Sequence, residues 1–170
     1  MPLFRITRKL SKALKLRPSR TLHAENPDHE WFADLFYVER KKCVIWIHAP
    51  TLLTFVRPAV TAAELREFHP LFRDEFRTAL VTLALPEYLI DRFGVYYPDS
   101  YAPTNDRSVV GSMLDYRKMF SIMVDFDGGL KRADIKGLNV MLNETPMSAI
   151  HGDSALRRLR TMVEPSTLLH

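Results

Sequence analysis

The middle of the chain carries three short apolar runs separated by polar or breaking residues. Trp31–Glu39 is aromatic and rich in strand-forming residues, Cys43–His48 is almost entirely apolar, and Thr51–Arg57 follows after Pro50. Lys41 and Lys42 are expected to form a charged turn between the first two runs. Short connections between such runs favour an antiparallel meander. Apolar side chains fall on both alternating faces of these strands. We therefore expect a sheet covered on both sides, or one that packs one face on helices and the other on a partner.

The first twenty residues show a different period. Leu3, Phe4 and Ile6 are typical of a short strand. From Thr7, a potential N-cap, the apolar residues Leu10, Ala13 and Leu14 recur at helical spacing. Since Pro18 disfavours helical geometry at the preceding residue, the helix is predicted to end near Arg17.

Helical patterns dominate after the strands. Thr61 to Glu64 fits a capping box, and Pro70 and Pro86 fit the first turns of further helices. Additional helices are predicted over residues 107–124, 134–142 and about 154–163, while Val95–Thr104 is predicted as an edge strand or an extended loop. The fold class is therefore α+β: an N-terminal strand and short helix, an antiparallel meander, and a helical C-terminal half packed on the sheet. We expect one domain over residues 1–163 and a frayed tail over 164–170.

Charge is distributed unevenly over an otherwise ordinary composition. The 170 residues are 46% hydrophobic and 26% charged, with a net charge of +4. Residues 1–20 contain seven of the 24 basic residues and none of the 20 acidic ones, so the remaining chain holds 17 basic against 20 acidic residues. A basic arm on a mildly acidic body favours a polyanionic partner, either nucleic acid or an acidic protein. The predicted helix is short and lacks a bulky aromatic on its apolar stripe, which argues against a membrane surface.

Two groups of residues are candidates for binding anions or nucleic acid. The first is the basic arm, with Arg5, Arg8, Lys9, Lys12 and Lys15. The alternative is that these side chains form only a solvated face of a helix whose apolar stripe joins the core.

The second candidate group lies where a polar segment enters the predicted helix 107–124. Arg107 and Ser108 stand at its start, where backbone N–H groups favour a phosphate or carboxylate. The alternative is an ordinary helix cap. A third alternative, a small-molecule or metal enzyme centred on Arg107, requires a deep pocket there.

No familiar catalytic motif is present. The chain lacks a phosphate-binding glycine loop, a nucleophile elbow and a metal-ligand motif, so neither a metal nor another cofactor is predicted. Cys43 is expected in the core, and a single cysteine favours a reducing compartment such as the cytoplasm. His48 is expected as a core or edge histidine, with a general base as the alternative. Arg57 is expected to pair with a core carboxylate, for which Asp34 is a candidate.

Several segments resemble those of a bacterial family of uncharacterised proteins, a domain of unknown function. They are Phe4–Leu10, Trp31–Leu35, Thr51–Leu53, an Arg-Ser-Val-x-Gly-Ser-Met box at 107–113, and a Leu-Asn-x-Thr-Pro-Met box at 142–147. Leu114 stands where that family usually has Asn, and this arm is more basic than is usual. The resemblance covers about residues 1–163. It implies one compact domain of bacterial or mobile-element origin and no particular reaction.

Two functions follow as hypotheses. The first is a non-catalytic interaction or regulatory domain of a bacterial or mobile-element system, such as a defence or toxin–antitoxin module, with a basic N-terminal surface for a polyanionic partner. The alternative is a nucleic-acid-binding protein or a metal-independent ribonuclease. That enzyme would use the basic arm with Arg107, His48 and the arginines at 157, 158 and 160, and those groups would have to line one cleft. The oligomeric state is left open.

Overall fold

The three apolar runs form the middle of a five-stranded sheet. In the computed structural model, which describes residues 2–96 and 99–163, the strand order is β4-β3-β2-β1-β5. The strands are β1 (Leu3–Ile6), β2 (Glu30–Val38), β3 (Lys41–His48), β4 (Thr54–Arg57) and β5 (Ser100–Pro103). β2, β3 and β4 are antiparallel as predicted, but β1 pairs in parallel with both β2 and β5. The sheet is therefore mixed rather than purely antiparallel, because long connections bring the chain into β2 and β5 in the direction of β1.

Seven α-helices are found in the described residues, and six of them follow β4 in the chain. They are α1 (Arg8–Leu14), α2 (Ala62–Arg66), α3 (Phe68–Thr82), α4 (Leu89–Arg92), α5 (Arg107–Phe126), α6 (Ile135–Glu144) and α7 (Ala155–Val163). The predicted combination of strands and mostly C-terminal helices is confirmed. None of the described helices is long and apolar enough to cross a membrane.

Helices cover both faces of the sheet. This is the first of the two arrangements expected from the sequence, in which neither face is left for a partner. On one face, Trp31 and Trp46 pack with Phe72 and other side chains of α3 in a first core. On the other face, Phe36 packs against Phe120 of α5 in a second core. The sheet therefore separates two hydrophobic layers.

The turn between β2 and β3 lies two residues earlier than the sequence suggested. Glu39 and Arg40 have φ angles of 52° and 64°, the left-handed geometry of a type I′ hairpin, whose twist matches that of the strands. The expectation of a charged turn at Lys41 and Lys42 is therefore wrong, and both lysines belong to β3.

The first helix ends earlier than predicted. α1 stops at Leu14, because Lys15 adopts a left-handed conformation with φ of 55° and its N–H donates to the Lys12 carbonyl. Thr7 caps the start as expected, with its Oγ1 accepting a hydrogen bond from Leu10 N. The predicted frayed tail, residues 164–170, lies outside the described residues.

Two asparagines of α6 close the outer edge of β4. Asn143 Oδ1 accepts from Thr54 N at 2.9 Å, and Asn143 Nδ2 donates to Thr54 O at 2.7 Å. One helical turn away, Asn139 Oδ1 accepts from Val56 N at 2.9 Å and Asn139 Nδ2 donates to Val56 O at 3.3 Å. The two amides take the hydrogen bonds that a further strand would have made.

Candidate binding surface at the carboxyl end of β1

In the parallel part of the sheet, the polar connections that follow β1 and β5 leave the sheet at the same edge. β1 lies between two parallel neighbours, β2 and β5. Its carboxyl end leads through Thr7 into α1, and that of β5 leads through residues 104–106 into α5. α1 contributes to the first core and α5 to the second. In open α/β sheets, such a point of divergence at the carboxyl ends of strands is where ligands bind.

A buried carboxylate joins these connections. Asp34 of β2 is 4% exposed. Its Oδ1 accepts hydrogen bonds from Thr7 Oγ1 at 2.6 Å and Leu35 N at 2.8 Å, and its Oδ2 pairs with Arg117 Nη1 at 2.6 Å. Each donor comes from a different place in the fold, so Asp34 fixes the start of α1 and the middle of α5 against β2. This contact also corrects the expected pair with Arg57, whose guanidinium instead binds Glu64 and Glu75.

Two cations lie over aromatic rings on either side of β2. The Arg117 guanidinium lies 5.1 Å from the centre of the Phe36 ring on the α5 side. Lys9 Nζ lies 5.3 Å from the centre of the Tyr37 ring, which is 50% exposed. Such contacts hold basic side chains beside apolar surface without neutralising them.

A groove of about 300 Å³ runs between β2 and α5. It is lined by Phe36, Tyr37, Leu114, Arg117, Lys118, Ser121 and Ile122. A shallower depression of about 420 Å³ around the start of α5 shares Leu114 with it. Leu114, the residue at which the sequence departs from the family pattern, is 42% exposed between the two depressions. Leu114 therefore makes this surface apolar at a position where the family usually has the side-chain amide of Asn.

The basic arm divides into an exposed and a buried part. Arg8, Lys12 and Lys15 are exposed. The spacing of four residues places Arg8 and Lys12 on one side of α1, and Lys15 follows at its C-cap. Within residues 2–96 and 99–163, no ion pair or side-chain hydrogen bond is made by these three groups. Together with Lys9 they form the surface that we call the α1 basic face.

Arg5 does not belong to that surface. It is 4% exposed, and its Nε binds Glu30 Oε1 at 2.5 Å while Nη1 donates to Pro103 O at 3.3 Å. The prediction that Arg5 binds an external anion is therefore corrected. Its guanidinium is occupied by β2 and β5, and the residue ties the three parallel strands together.

Arg107 and Ser108 lie at the start of α5, as predicted, and both are exposed. The helix end is already capped, because Asp106 Oδ1 accepts from Ser108 N at 2.9 Å and Val109 N at 3.2 Å. A carboxylate of the chain itself thus occupies the place that an external anion would take. Arg107 remains available at the rim of the depression beside Leu114.

His48 is enclosed in the protein. Its Nε2 lies 2.8 Å from the Asp28 carbonyl and its Nδ1 2.8 Å from Thr51 Oγ1, while the ring stacks on Phe93. Burial lowers the pKa of His48 from 6.5 to about 4, so the ring is neutral at pH 7. Nε2 then donates to the carbonyl, and Nδ1 accepts from the threonine. The expectation of a core histidine fits this environment.

A larger cavity of about 650 Å³ lies at the C-terminal end of α1. Lys15, Arg66, His69, Asp99 and Tyr101 are among its lining residues. His69 Nε2 donates to Val95 O at 2.8 Å, the Tyr101 hydroxyl donates to Asp99, and burial raises the pKa of Tyr101. Because its acids and bases are mixed, this cavity is less selective for anions than the α1 basic face.

Potential metal ligands remain dispersed. Over the described ranges, 2–96 and 99–163, no three His, Cys, Asp or Glu side chains come close enough to hold an ion. The histidines and acids between His23 and Glu30, which are close together in the sequence, therefore form no such group in the described structure.

Sequence reasoning missed three residues of the groove. Tyr37, Arg117 and Lys118 lie in segments whose pattern indicated only a strand and a helix. The available signals were a phenol in an otherwise apolar strand, and two adjacent cations beside the buried stripe of α5. Neither signal shows that β2 and α5 meet, because that contact joins residues about 80 positions apart.

Comparison with known proteins supports the resemblance found in the sequence. A family model described as a domain of unknown function, DUF6933, matches residues 3–156. No curated protein matches the chain. The match spans all five strands and both sides of the groove.

Proposed function

The chain belongs to the DUF6933 family, a domain of unknown function, and we propose that it is a non-catalytic interaction domain whose α1 basic face binds a polyanionic partner. The observation that carries the proposal is the exposure of Arg8 and Lys12 on one side of α1 and of Lys15 at its C-cap, with no ion-pair partner in the described part of the chain. Unmatched cations on one face attract polyanions over distances near the Debye length.

The surroundings of α1 extend this positive surface. Lys9 lies beside Tyr37, and Lys118 lies across the groove on α5. Asp34, the carboxylate beneath them, is buried and already matched by Arg117. Asp34 therefore adds no exposed negative charge to this surface.

Binding is favoured over catalysis by the position of His48. The ribonuclease hypothesis needed this histidine to share an open cleft with the basic residues, but its ring is fully enclosed and both its nitrogens have partners. An enclosed, neutral histidine is poorly suited to exchange protons with a substrate. Nucleic acid remains a candidate partner because Tyr37 is half exposed beside a lysine, an arrangement on which bases stack.

Heparin chromatography over a series of salt concentrations tests the proposal. We compare the native chain with the triple variant Arg8→Glu, Lys12→Glu, Lys15→Glu. The matched control, Arg132→Glu, Arg158→Glu, Arg160→Glu, makes the same change in net charge on exposed residues elsewhere. Far-UV circular dichroism checks that all three proteins are folded.

The native chain and the control should be retained, with a salt slope of several units that reflects the number of cations engaged. The α1 variant should elute at much lower salt. Equal elution of the α1 variant and the control would refute the proposal, because retention would then follow net charge alone. Repeating the series with poly(U) and poly-glutamate distinguishes a nucleic acid from an acidic protein.

A further inference from the structure

Part of the edge of β2 has no neighbouring strand. β1 pairs with Glu30–Ala33 and ends at Ile6, whereas β2 continues to Val38. The residues from Asp34 to Val38 are paired with β3 on one side only. The described strands therefore leave a notch of about five residues beyond the end of β1, which at about 3.4 Å per residue is about 17 Å long.

The direction of each backbone group along the notch follows from the hydrogen bonds at its start. Thr7 N donates to Ala33 O, so alternate residues of β2, including Leu35 and Tyr37, point their N–H and C=O groups toward the missing strand. Leu35 N is taken by the Asp34 carboxylate. In the described residues, no hydrogen bond reaches Leu35 O or the backbone N–H and C=O of Tyr37.

Other edges of the same sheet are closed. Asn139 and Asn143 satisfy the outer edge of β4, and Ser19 N donates to Tyr101 O on the outer side of β5 at 3.0 Å. Natural proteins protect exposed edges in such ways because an open edge pairs with other chains. Within the notch Asp34, Leu35, Phe36 and Val38 are buried and Tyr37 is 50% exposed, so Tyr37 is the place at which another chain can pair.

The walls of the notch determine what fits there. On the α1 side stand Lys9 and the exposed ring of Tyr37, and on the α5 side stand Leu114, Lys118 and Ile122. Among the described residues no carboxylate pairs with Lys9 or Lys118, whereas Arg117 is matched by Asp34. A strand laid in the notch would direct alternate side chains to these two walls.

We propose that the notch accepts an extended acidic segment of a partner protein as an additional strand of the sheet, paired with β2 at Tyr37. The N–H and C=O of Tyr37 exchange hydrogen bonds with the segment, and its acidic side chains lie against Lys9 on the α1 wall. Apolar side chains of the segment pack on Leu114 and Ile122. Main-chain bonds supply affinity and the walls supply specificity, as in other cases of strand addition.

The inference rests on the proposed function, because it names the partner class for the same positive surface. A protein segment is favoured over nucleic acid by the backbone geometry. The Tyr37 N–H and C=O form a matched donor and acceptor pair at strand spacing, which another peptide complements and a sugar–phosphate chain does not. One side of the Tyr37 ring is also occupied by Lys9, which leaves less of it for a base.

The test uses the full chain and a fluorescein-labelled peptide of alternating Glu and Leu. Two matched peptides serve as controls: one with Lys in place of Glu, and one with the acidic sequence but alternate N-methylated amides, which cannot donate to an edge strand. Binding is measured by fluorescence anisotropy, and exchange of the Tyr37 amide hydrogen is measured by NMR. Poly(U) is examined in the same exchange experiment.

The acidic peptide should bind and slow exchange at Tyr37. N-methylation should weaken binding about fivefold or more, since the peptide N–H that donates to Tyr37 O is lost while a peptide carbonyl still accepts from Tyr37 N. The variant Lys9→Glu should weaken it by a similar factor, while Arg158→Glu should not. Equal affinity for the acidic and N-methylated peptides, or an unchanged exchange rate at Tyr37, would overturn the inference, as would protection of Tyr37 by poly(U) alone.

Failure here is distinguishable from failure of the proposed function. If the α1 variant loses heparin retention while the acidic peptide leaves Tyr37 unprotected, the basic face is supported and strand addition is refuted. If the α1 variant behaves like its control, the proposed function itself is refuted.

Discussion

Asp34 shows how one side chain sets the position of three elements. Its carboxylate accepts from Thr7 and Leu35 and pairs with Arg117 while being almost fully buried. A buried charge is tolerated only when its hydrogen bonds are made, and breaking such a set leaves its partners unsatisfied. Stability and the shape of the groove therefore depend on the same residue.

We expect Asp34→Ala to lower the free energy of unfolding by about 2 to 4 kcal/mol, because Arg117 and Thr7 lose their acceptor in a mostly enclosed place. Urea denaturation followed by circular dichroism measures the change. Asp115→Ala, an exposed carboxylate on the same helix as Arg117, should change stability by no more than about 0.5 kcal/mol. Similar effects for the two variants would contradict the assigned role.

His48 should make stability depend on pH. Burial lowers its pKa from 6.5 to about 4, so between these values the unfolded chain binds a proton that the folded protein does not. The free energy of unfolding should therefore fall as the pH is lowered through this window, by about 1.4 kcal/mol per pH unit from this group. Urea titrations at several pH values measure the slope, and His48→Gln should flatten it. An equal slope in that variant would assign the dependence to other groups.

Single residues differ in how well the sequence predicts their roles. Thr7 was predictable as a cap, because capping is decided by residues three positions away. Arg5 was not predictable as a buried residue, since its partner Glu30 lies 25 positions along the chain. The Asp34–Arg117 pair spans 83 positions, so it depends on how β2 and α5 pack.

At the scale of elements, α6 replaces a strand. Its two asparagines, four residues apart, lie on one side of the helix and bind the backbone of β4 at Thr54 and Val56. Helical spacing of four residues covers about 6 Å, close to the rise of two residues along a strand. This match allows a helix to satisfy alternate residues of a sheet edge.

Asn143→Ala should therefore destabilise the protein by about 2 to 4 kcal/mol, because the buried N–H and C=O of Thr54 are left without partners. It should also increase light scattering during refolding, since the β4 edge becomes available to other chains. Asn105→Ala, at an exposed asparagine before α5, is the matched control. Unchanged stability for Asn143→Ala would show that the amide is dispensable to the edge.

Element types were predictable because apolar periodicity is local. The direction of the strands was not, since β1 reaches its neighbours through long connections. A short run such as Ser100–Pro103 has no pattern that indicates a parallel neighbour. The notch follows from the unequal lengths of β1 and β2. It could not be predicted without knowing that the two strands are neighbours in the sheet.

The whole molecule contains two hydrophobic layers that share one sheet. Trp31 and Trp46 both belong to the first core, whereas Phe120 belongs to the second. Because β2, β3 and β4 each contribute side chains to both layers, disruption of these strands in one layer also disrupts the other. We therefore expect the two cores to unfold together.

Phe120→Ala tests this coupling. It should lower the free energy of unfolding by about 3 to 5 kcal/mol through loss of burial in the second core. Tryptophan fluorescence, which reports on the first core, should shift to the same urea midpoint as far-UV circular dichroism. Ile122→Ala, at a 65% exposed position of the same helix, should leave both midpoints nearly unchanged. A fluorescence midpoint that stays at the native value in Phe120→Ala would show that the layers unfold independently.

The lysines beside the notch also affect how copies of the chain meet one another. Two identical molecules that tried to join through their open β2 edges would bring Lys9 and Lys118 of each against the same lysines of the other. Like charges at such short range oppose assembly, so the lysines that favour an acidic partner also disfavour self-association. Salt screens that repulsion, so the chain should remain monomeric most readily at low ionic strength.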